Sequence, residues 1–422
     1  MSTENLSYEI ANMCDKAKKA SYSLAASSSK TRDDALINIS DELRKAEVIQ
    51  EIIEKNELDI KIAREMGISE SLIDRLTLNE KRIKNIANAL LKTVNLPDPL
   101  GKGESWIRPN GLKIERISVP LGVCGMIYES RPNVTIDAAA LCIKSGNAVV
   151  LKGGKEAFNS NIILTEIVRR SIAKAGLDPD VVQIIANTSR ESAALLMKQN
   201  GKIDVLIPRG GKALIQSVVE NSTVPVIETG AGNCHIYVDD TADFKMAADV
   251  IDNAKTRPSV CNSVETILIS EKIYINFLPL LYDKLRDINV EFRGCDRVMS
   301  VVPQAKNATE EDYYTEYNDF ILALKVVDTL DEAIEHINKY NTKHSEAIIT
   351  NDINRAREFQ ARVDAAAVYV NASTWFTDGE EFGFGAEIGI STSKLHARGP
   401  VGLAELTTKK YLIEGNGTLR GK

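Results

Sequence analysis

Apolar residues in the first 96 positions recur at three- and four-residue spacing with charges between them, as in Asp33–Lys45 and Glu80–Lys92. That is the period of a helix packed on one face, and it predicts a helical N-terminal region without strands. Pro97, Pro99 and Gly101 then interrupt the pattern. Trp106-Ile107-Arg108-Pro109, Asn110-Gly111 and Leu112-Lys113-Ile114-Glu115-Arg116-Ile117 predict a hairpin, with the Asn-Gly pair in a type I′ turn. From Val119 the rhythm changes. Short apolar runs at Val123–Tyr128, Ala148–Leu151, Val181–Ala186, Val205–Pro208 and Val224–Ile227 read as strands. Val134–Lys144, Asn161–Ala175 and Lys212–Glu220 read as helices between them. A second series follows, with strands near His235–Val238, Glu265–Ile269, Ile321–Val327, Ala347–Thr350 and Ala367–Asn371. Its helices are expected near Phe244–Ala254, Leu330–Asn338 and Ile353–Val363. Strands apolar on both faces that alternate with helices imply parallel sheets covered on both sides, hence an α/β, doubly wound class. After Thr407 a strand-like Tyr411-Leu412-Ile413 precedes a glycine-rich tail.

A length of 422 residues predicts two or three domains. The hydrophobic share of 44% supplies an ordinary globular core, and a net charge of −7 disfavours bulk attraction to nucleic acid or anionic membrane. The polar start Met1-Ser2-Thr3-Glu4 lacks the apolar run of a signal peptide, and no apolar stretch reaches membrane-spanning length. The six cysteines form no C-x-x-C pair and are expected to stay reduced, so a cytoplasmic location without a metal site is the expectation.

Candidate chemistry is sparse. The dinucleotide fingerprint G-x-G-x-x-G is missing, because Gly230-x-Gly232 runs on to His235. Arg209-Gly210-Gly211-Lys212 follows a strand and opens a helix, so its free amides suit an anion; the same residues also suit a plain strand-to-helix turn. Cys124 and Cys142 sit in apolar runs, and Cys14 lies on a charged helix. Cys261 stands apart, in the turn-rich segment Thr256-Arg257-Pro258-Ser259-Val260-Cys261-Asn262-Ser263, with Arg257 near enough to favour a thiolate. His336 and His344 are expected on a solvated face, and neither H-E-x-x-H nor G-x-S-x-G occurs. Gly379–Gly402 reads as a glycine-rich loop, either a plain surface loop or a cover for an acidic substrate.

Several segments resemble the aldehyde dehydrogenase superfamily. Val119-Pro120-Leu121-Gly122-Val123-Cys124-Gly125 is similar to its P-x-G-V-x-G strand entry, and Gly146-Asn147-Ala148-Val149-Val150-Leu151-Lys152 to its G-N-x-V-V-x-K segment. Glu228-Thr229-Gly230-Ala231-Gly232-Asn233 partly resembles the E-L-G-G-K box, and Cys261 then falls at the nucleophile. The resemblance implies two doubly wound α/β domains and a β-hairpin oligomerisation arm. Residues 1–100 and 119–228 would form the cofactor-binding domain, 229–403 the catalytic domain, and 101–118 with 404–422 the arm. An exposed hairpin seeks a partner edge, so a homodimer or larger oligomer is expected. Asn133 is the implied oxyanion donor beside the Cys261 amide. Glu316 matches the residue that holds the nicotinamide ribose. Glu228 matches the general base of hydrolytic members, for which a reductase has no use.

Closer still is the resemblance to the glutamate-5-semialdehyde dehydrogenases, or γ-glutamyl phosphate reductases. It is carried by Y-E-S-R-P-N-V-T from Tyr128, E-T-G-A-G-N-C-H from Glu228, R-P-S-V-C-N-S-V-E-T from Arg257 and G-P-V-G-L-A-E-L-T-T from Gly399. It implies NADPH-dependent reduction of γ-glutamyl 5-phosphate through a Cys261 thioacyl intermediate, in proline biosynthesis, with glutamate 5-kinase as a candidate partner. Arg131, Arg257 and Arg398 are the arginines of these segments and the candidates for the substrate's negative charge. Lys152, Gly153 and Lys155 follow a strand where NAD-using relatives carry a ribose-binding Glu. Lys155 at that place would favour the 2′-phosphate of NADP(H), and a one-residue shift would put Glu156 there instead. A hydrolytic aldehyde dehydrogenase and a non-catalytic scaffold of the same fold are the alternatives.

Overall fold

The computed structural model describes residues Thr3–Arg420. The chain forms two compact units: residues 1–228, 383–389 and 401–422, and residues 229–382 with 390–400.

The first unit begins with helices α1 (Thr3–Ala25), α2 (Ser29–Glu42), α3 (Ala46–Glu65), α4 (Glu70–Leu76) and α5 (Glu80–Val94). α5 starts where the Asn79 side chain accepts from the Arg82 amide, and it buries Ile83, Ile86, Ala87 and Leu90 on one stripe. Strands β1 (Gly103–Ile107) and β2 (Lys113–Pro120) form the expected hairpin. The turn differs from the I′ expectation. Gly111 has φ +83° but Asn110 is not left-handed, and the Gly111 amide donates to Arg108 O at 2.9 Å. Pro109 fixes the first corner at negative φ, so the loop is a common turn closed by a left-handed glycine.

β3 (Val123–Tyr128), β4 (Ala148–Lys152), β5 (Val182–Ile184) and β6 (Val205–Arg209) make a parallel sheet in the order β5-β4-β3-β6. Helices α6 (Asn133–Lys144), α7 (Phe158–Lys174), α8 (Arg190–Leu196) and α9 (Lys212–Asn221) connect and follow these strands. Every residue of β3 and β4 is buried. Val224–Ile227, read as a strand, makes only a single bridge from Val226 to Leu206. Asp59, wholly buried on α3, accepts from the amides of Asn159 and Ser160 at 3.0 and 2.7 Å and so caps the orphan amides that open α7. Within the same unit β16 (Thr407–Glu414) pairs with β2, giving an antiparallel sheet β1-β2-β16.

The second unit holds β7 (Cys234–Val238), β8 (Val264–Ser270), β9 (Glu291–Gly294), β10 (Lys306–Asn307), β11 (Ile321–Val327), β12 (Ser345–Ile349) and β13 (Ala367–Val370). They form one parallel sheet in the order β10-β9-β11-β8-β7-β12-β13. The short β14 (Ile390–Ser391) and β15 (Gly399–Pro400) pair apart from it. Its helices are α10 (Phe244–Lys255), α11 (Tyr274–Leu285), α12 (Asp296–Val301), α13 (Glu310–Tyr314), α14 (Leu330–Tyr340) and α15 (Ile353–Arg362). His336 and His344 are buried, against expectation. His336 lies on the inward stripe of α14, its ring 4.4 Å from that of Tyr340 and 4.9 Å from that of Tyr313. Cys14, expected on a charged helix, lies on that helix's buried face. No helix among the described residues is long and apolar enough to cross a membrane.

Candidate active site

Three loops of the second unit enter adjacent parallel strands at their amino ends: Thr229–Asn233 before β7, Thr256–Ser263 before β8 and Thr315–Phe320 before β11. Neighbouring parallel strands start side by side, so residues far apart in sequence meet here. Cys261 stands in the middle loop, half-exposed. Cys14, Cys124, Cys142 and Cys234 are buried, and burial pushes the Cys14 thiol up to about 12. Cys295, also half-buried, packs against the hydrophobic core of this unit.

The backbone around Cys261 is pinned from several sides. The Asn262 side chain donates to the carbonyls of Trp375 and Thr377, both at 3.0 Å, and Asn262 O accepts from Thr374 Oγ1 at 2.7 Å. The buried Cys234 thiol donates to Cys261 O at 3.4 Å. Gly232 packs so closely that a Cβ there would overlap Cys261 O, which only glycine permits. The Gly232 amide donates to Glu316 Oε1 at 2.8 Å, bringing Cys261, Gly232 and Glu316 into one cluster. Two residues on, Asn318 adopts φ +55° and its amide donates to Glu265. Glu265 is pushed up to about 7 by burial, against the pull of Lys255, which holds it at 2.7 Å.

Arg257 is exposed near the start of the Cys261 loop. Arg398 is engaged elsewhere in this unit, donating to Asp364 Oδ1 at 2.8 Å; Lys394 and Arg398 together hold that carboxyl near 2. An Arg398 fork committed in this way is less available to a substrate than the sequence suggests.

The first unit places its candidates at the carboxyl ends of β3, β4 and β6. Lys152 ends β4 buried, its ammonium on Gly153 O at 2.9 Å, and burial lowers its pKa. A Cβ at Gly153 would strike the Asn161 amide. Lys155 is exposed. Glu156, the alternative at the ribose position, turns back to Ser130, accepting from its amide at 2.6 Å and its hydroxyl at 2.9 Å. The Arg209-Gly210-Gly211 turn does precede a helix, but the Gly211 amide donates to Glu129 Oε2 at 3.2 Å. A carboxylate thus sits where the sequence suggests a phosphate.

Arg209 itself faces another place. With Arg131, Asn133, Asp137 and Glu387 it lines a cleft of about 50 Å³. Asn133 Nδ2 donates to Asp137 Oδ2 at 2.8 Å, one helical turn along α6. Burial raises Asp137 to about 6, against the pull of Asn133 and Arg209. Asp137 was passed over in the sequence. The signal was there, since it is the only carboxylate of α6 and runs straight into six apolar residues, 138–143.

A sequence profile of the aldehyde dehydrogenase family matches residues 4–319 and 316–411. Gamma-glutamyl phosphate reductase of Clostridium perfringens (strain 13 / Type A) is 57% identical over 407 residues, 96% of this chain and 98% of that one. Its counterpart in Carboxydothermus hydrogenoformans is 56% identical over 415 residues, covering 98% and 100%. The crystal structure of gamma-glutamyl phosphate reductase from Thermotoga maritima superposes with a TM-score of 0.95 at 47% identity, covering 98% of this chain and 100% of that one.

Proposed function

The chain belongs to the aldehyde dehydrogenase family, and on that premise we propose that it reduces γ-glutamyl 5-phosphate to glutamate 5-semialdehyde and phosphate, in proline biosynthesis. The observation that carries the chemistry is Cys261, half-exposed in a loop whose backbone is fixed on both sides. Its thiolate attacks the acyl carbon, the bond to phosphate breaks, and a thioester remains on the protein. NADPH, when bound, supplies the hydride. Cys261 then leaves as a thiolate while the carbon collapses to the aldehyde. The Cys261 amide is assigned as a donor for the oxyanion of each half-reaction, and the family resemblance assigns Asn133 as the second.

The cofactor fits the carboxyl ends of the first unit's sheet. The strand order reverses between β3 and β6, and ligands of open α/β sheets settle at such a switch point. The space where a Gly211 Cβ would sit is open, so a phosphate can approach the backbone once Glu129 gives way. Lys152, Gly153 and Lys155 border the adenosine side, and Glu156 is already engaged by Ser130, which leaves Lys155 to meet a 2′-phosphate. Glu316 is assigned to the nicotinamide ribose. Arg131 and Arg257 are assigned to the substrate's negative charge, and Arg398 would join them on exchanging Asp364 for the substrate.

The enzyme is proposed to be cytoplasmic and oligomeric. Trp106, Ile107, Tyr411, Leu412 and Ile413 are exposed on the three-stranded sheet, whose outer strands present open edges among the described residues. A homodimer or larger assembly formed there would cover them, and glutamate 5-kinase is the partner that would supply the acyl phosphate. The deciding assay is NADP⁺ reduction with glutamate 5-semialdehyde, with and without inorganic phosphate. Absolute phosphate dependence is expected. Aldehyde oxidation that proceeds without phosphate would identify a hydrolytic enzyme instead.

A further inference from the structure

We propose that the cleft at the start of α6 receives the amino-acid head of the substrate, its α-ammonium on Asp137 beside Glu387 and its α-carboxylate on Arg131 and Arg209. This assignment rests on the functional reading above, in which the substrate is a γ-glutamyl phosphate.

The charge pattern is the first support. The cleft sets two carboxylates and two guanidiniums into a wall otherwise made of Met126, Val134, Ala138, Ile388 and the amide of Asn133. A pocket for a phosphate alone has no use for two carboxylates, and a pocket for a simple aldehyde has no use for four charges. A zwitterion uses both signs, with guanidinium forks for its carboxylate and carboxylates for its ammonium.

Size and spacing agree. A water-sized group needs roughly 10–15 Å³, so a cleft of about 50 Å³ takes about three to five such groups. The head has three polar ones: an ammonium and two carboxylate oxygens. Asn133, the proposed oxyanion donor, is hydrogen-bonded to Asp137 at 2.8 Å and has a second amide hydrogen left for substrate. The oxyanion on Asn133 and the ammonium on Asp137 would then lie roughly 6 Å apart, which is the reach of the five bonds joining these atoms in an extended γ-glutamyl chain. Burial works against the charge on Asp137, and an arriving ammonium relieves that cost.

The test uses the oxidative direction with phosphate and NADP⁺. It compares glutamate 5-semialdehyde with 5-oxopentanoate, which lacks only the α-ammonium. The amine of the first can close on its own aldehyde, so kcat/KM is taken per open-chain aldehyde, whose fraction is measured by proton NMR. Wild type is expected to favour the aminated aldehyde in kcat/KM by about 10–100-fold, the usual worth of a hydrogen bond between charged groups. Asp137→Asn should cut that preference at least tenfold. If Asp137 only positions Asn133, the substitution lowers both aldehydes by one factor and the ratio stays, which overturns the assignment. A wild-type ratio near one overturns it too, and needs no variant to fold. Glu387→Gln gives a second reading of the same ratio, with a smaller fall expected and no fall counting against it. Should neither aldehyde support phosphate-dependent reduction of NADP⁺, the functional reading itself fails.

Discussion

The two parallel sheets carry their chemistry at opposite ends of their strands. In the four-stranded sheet, the candidate residues follow β3, β4 and β6 at the carboxyl ends, where helices begin and free amides point outward. In the seven-stranded sheet, the segments with Gly232, Cys261 and Glu316 precede β7, β8 and β11 at the amino ends. The carboxyl-end loops rest on glycines and on charged side chains that a ligand can displace, such as Glu129 on the Gly211 amide. The amino-end loops are held by buried side-chain to backbone bonds, such as those of Asn262 and Cys234 to their neighbours. A ligand that comes and goes needs the first arrangement, and a nucleophile that must not wander needs the second.

The largest effect expected of any change that breaks this contrast is at Cys261. Cys261→Ser should reduce turnover below about a hundredth of wild type while leaving the thermal unfolding profile in place. Turnover above that level in a steady-state assay would remove Cys261 from the nucleophile's role. Next is Gly232→Ala, which must push the Cys261 carbonyl aside. Displacing a nucleophile by about 1 Å costs on the order of a hundredfold, and kcat should carry the loss. Unchanged kcat would mean that the fixed backbone at the amino ends has no bearing on rate.

Lys155→Glu probes the looser end of the comparison. It should shift the kcat/KM preference for NADPH over NADH by about tenfold, modest because Lys155 is exposed and screened. Equal losses with the two cofactors would show that Lys155 does not read the 2′-phosphate. The smallest effect concerns pH and stability in the second unit. Burial holds His336 near 2, so it stays neutral in the fold while the unfolded chain takes up a proton below about 6.5. The unfolded state therefore binds more protons as pH falls from about 6.5, and stability drops by up to about 1.4 kcal/mol per pH unit. His336→Phe should remove that slope in urea titrations at pH 7, 6 and 5. A parallel slope in the variant would assign it to another group.

Strands buried on both faces were the most legible part of the sequence. Val123–Tyr128 was read to its ends because six apolar residues in a row leave few alternatives. β9, with the sequence Glu-Phe-Arg-Gly, was not read, since so short and charged a segment shows neither period. α11 went unread with Pro279 in its interior, which argues locally against a helix. The turn at Asn110-Gly111 was misjudged because Pro109 sets the geometry one residue earlier. At the site, the loop of Cys261 stood out by composition. The carboxylates that surround the first unit's loops did not, because Glu129 and Glu156 acquire their partners only through the order in which strands lie side by side.

Pairing of β16 with β2 joins residues about three hundred positions apart. A ribosome delivers β2 early and β16 last of all the described strands, after the whole of the seven-stranded sheet. For most of synthesis β2 therefore has β1 on one side and an open edge on the other, and a nascent edge of this kind can recruit a strand from a neighbouring chain. The charged residues Lys113, Glu115 and Arg116 along β2 discourage such recruitment until the true partner emerges.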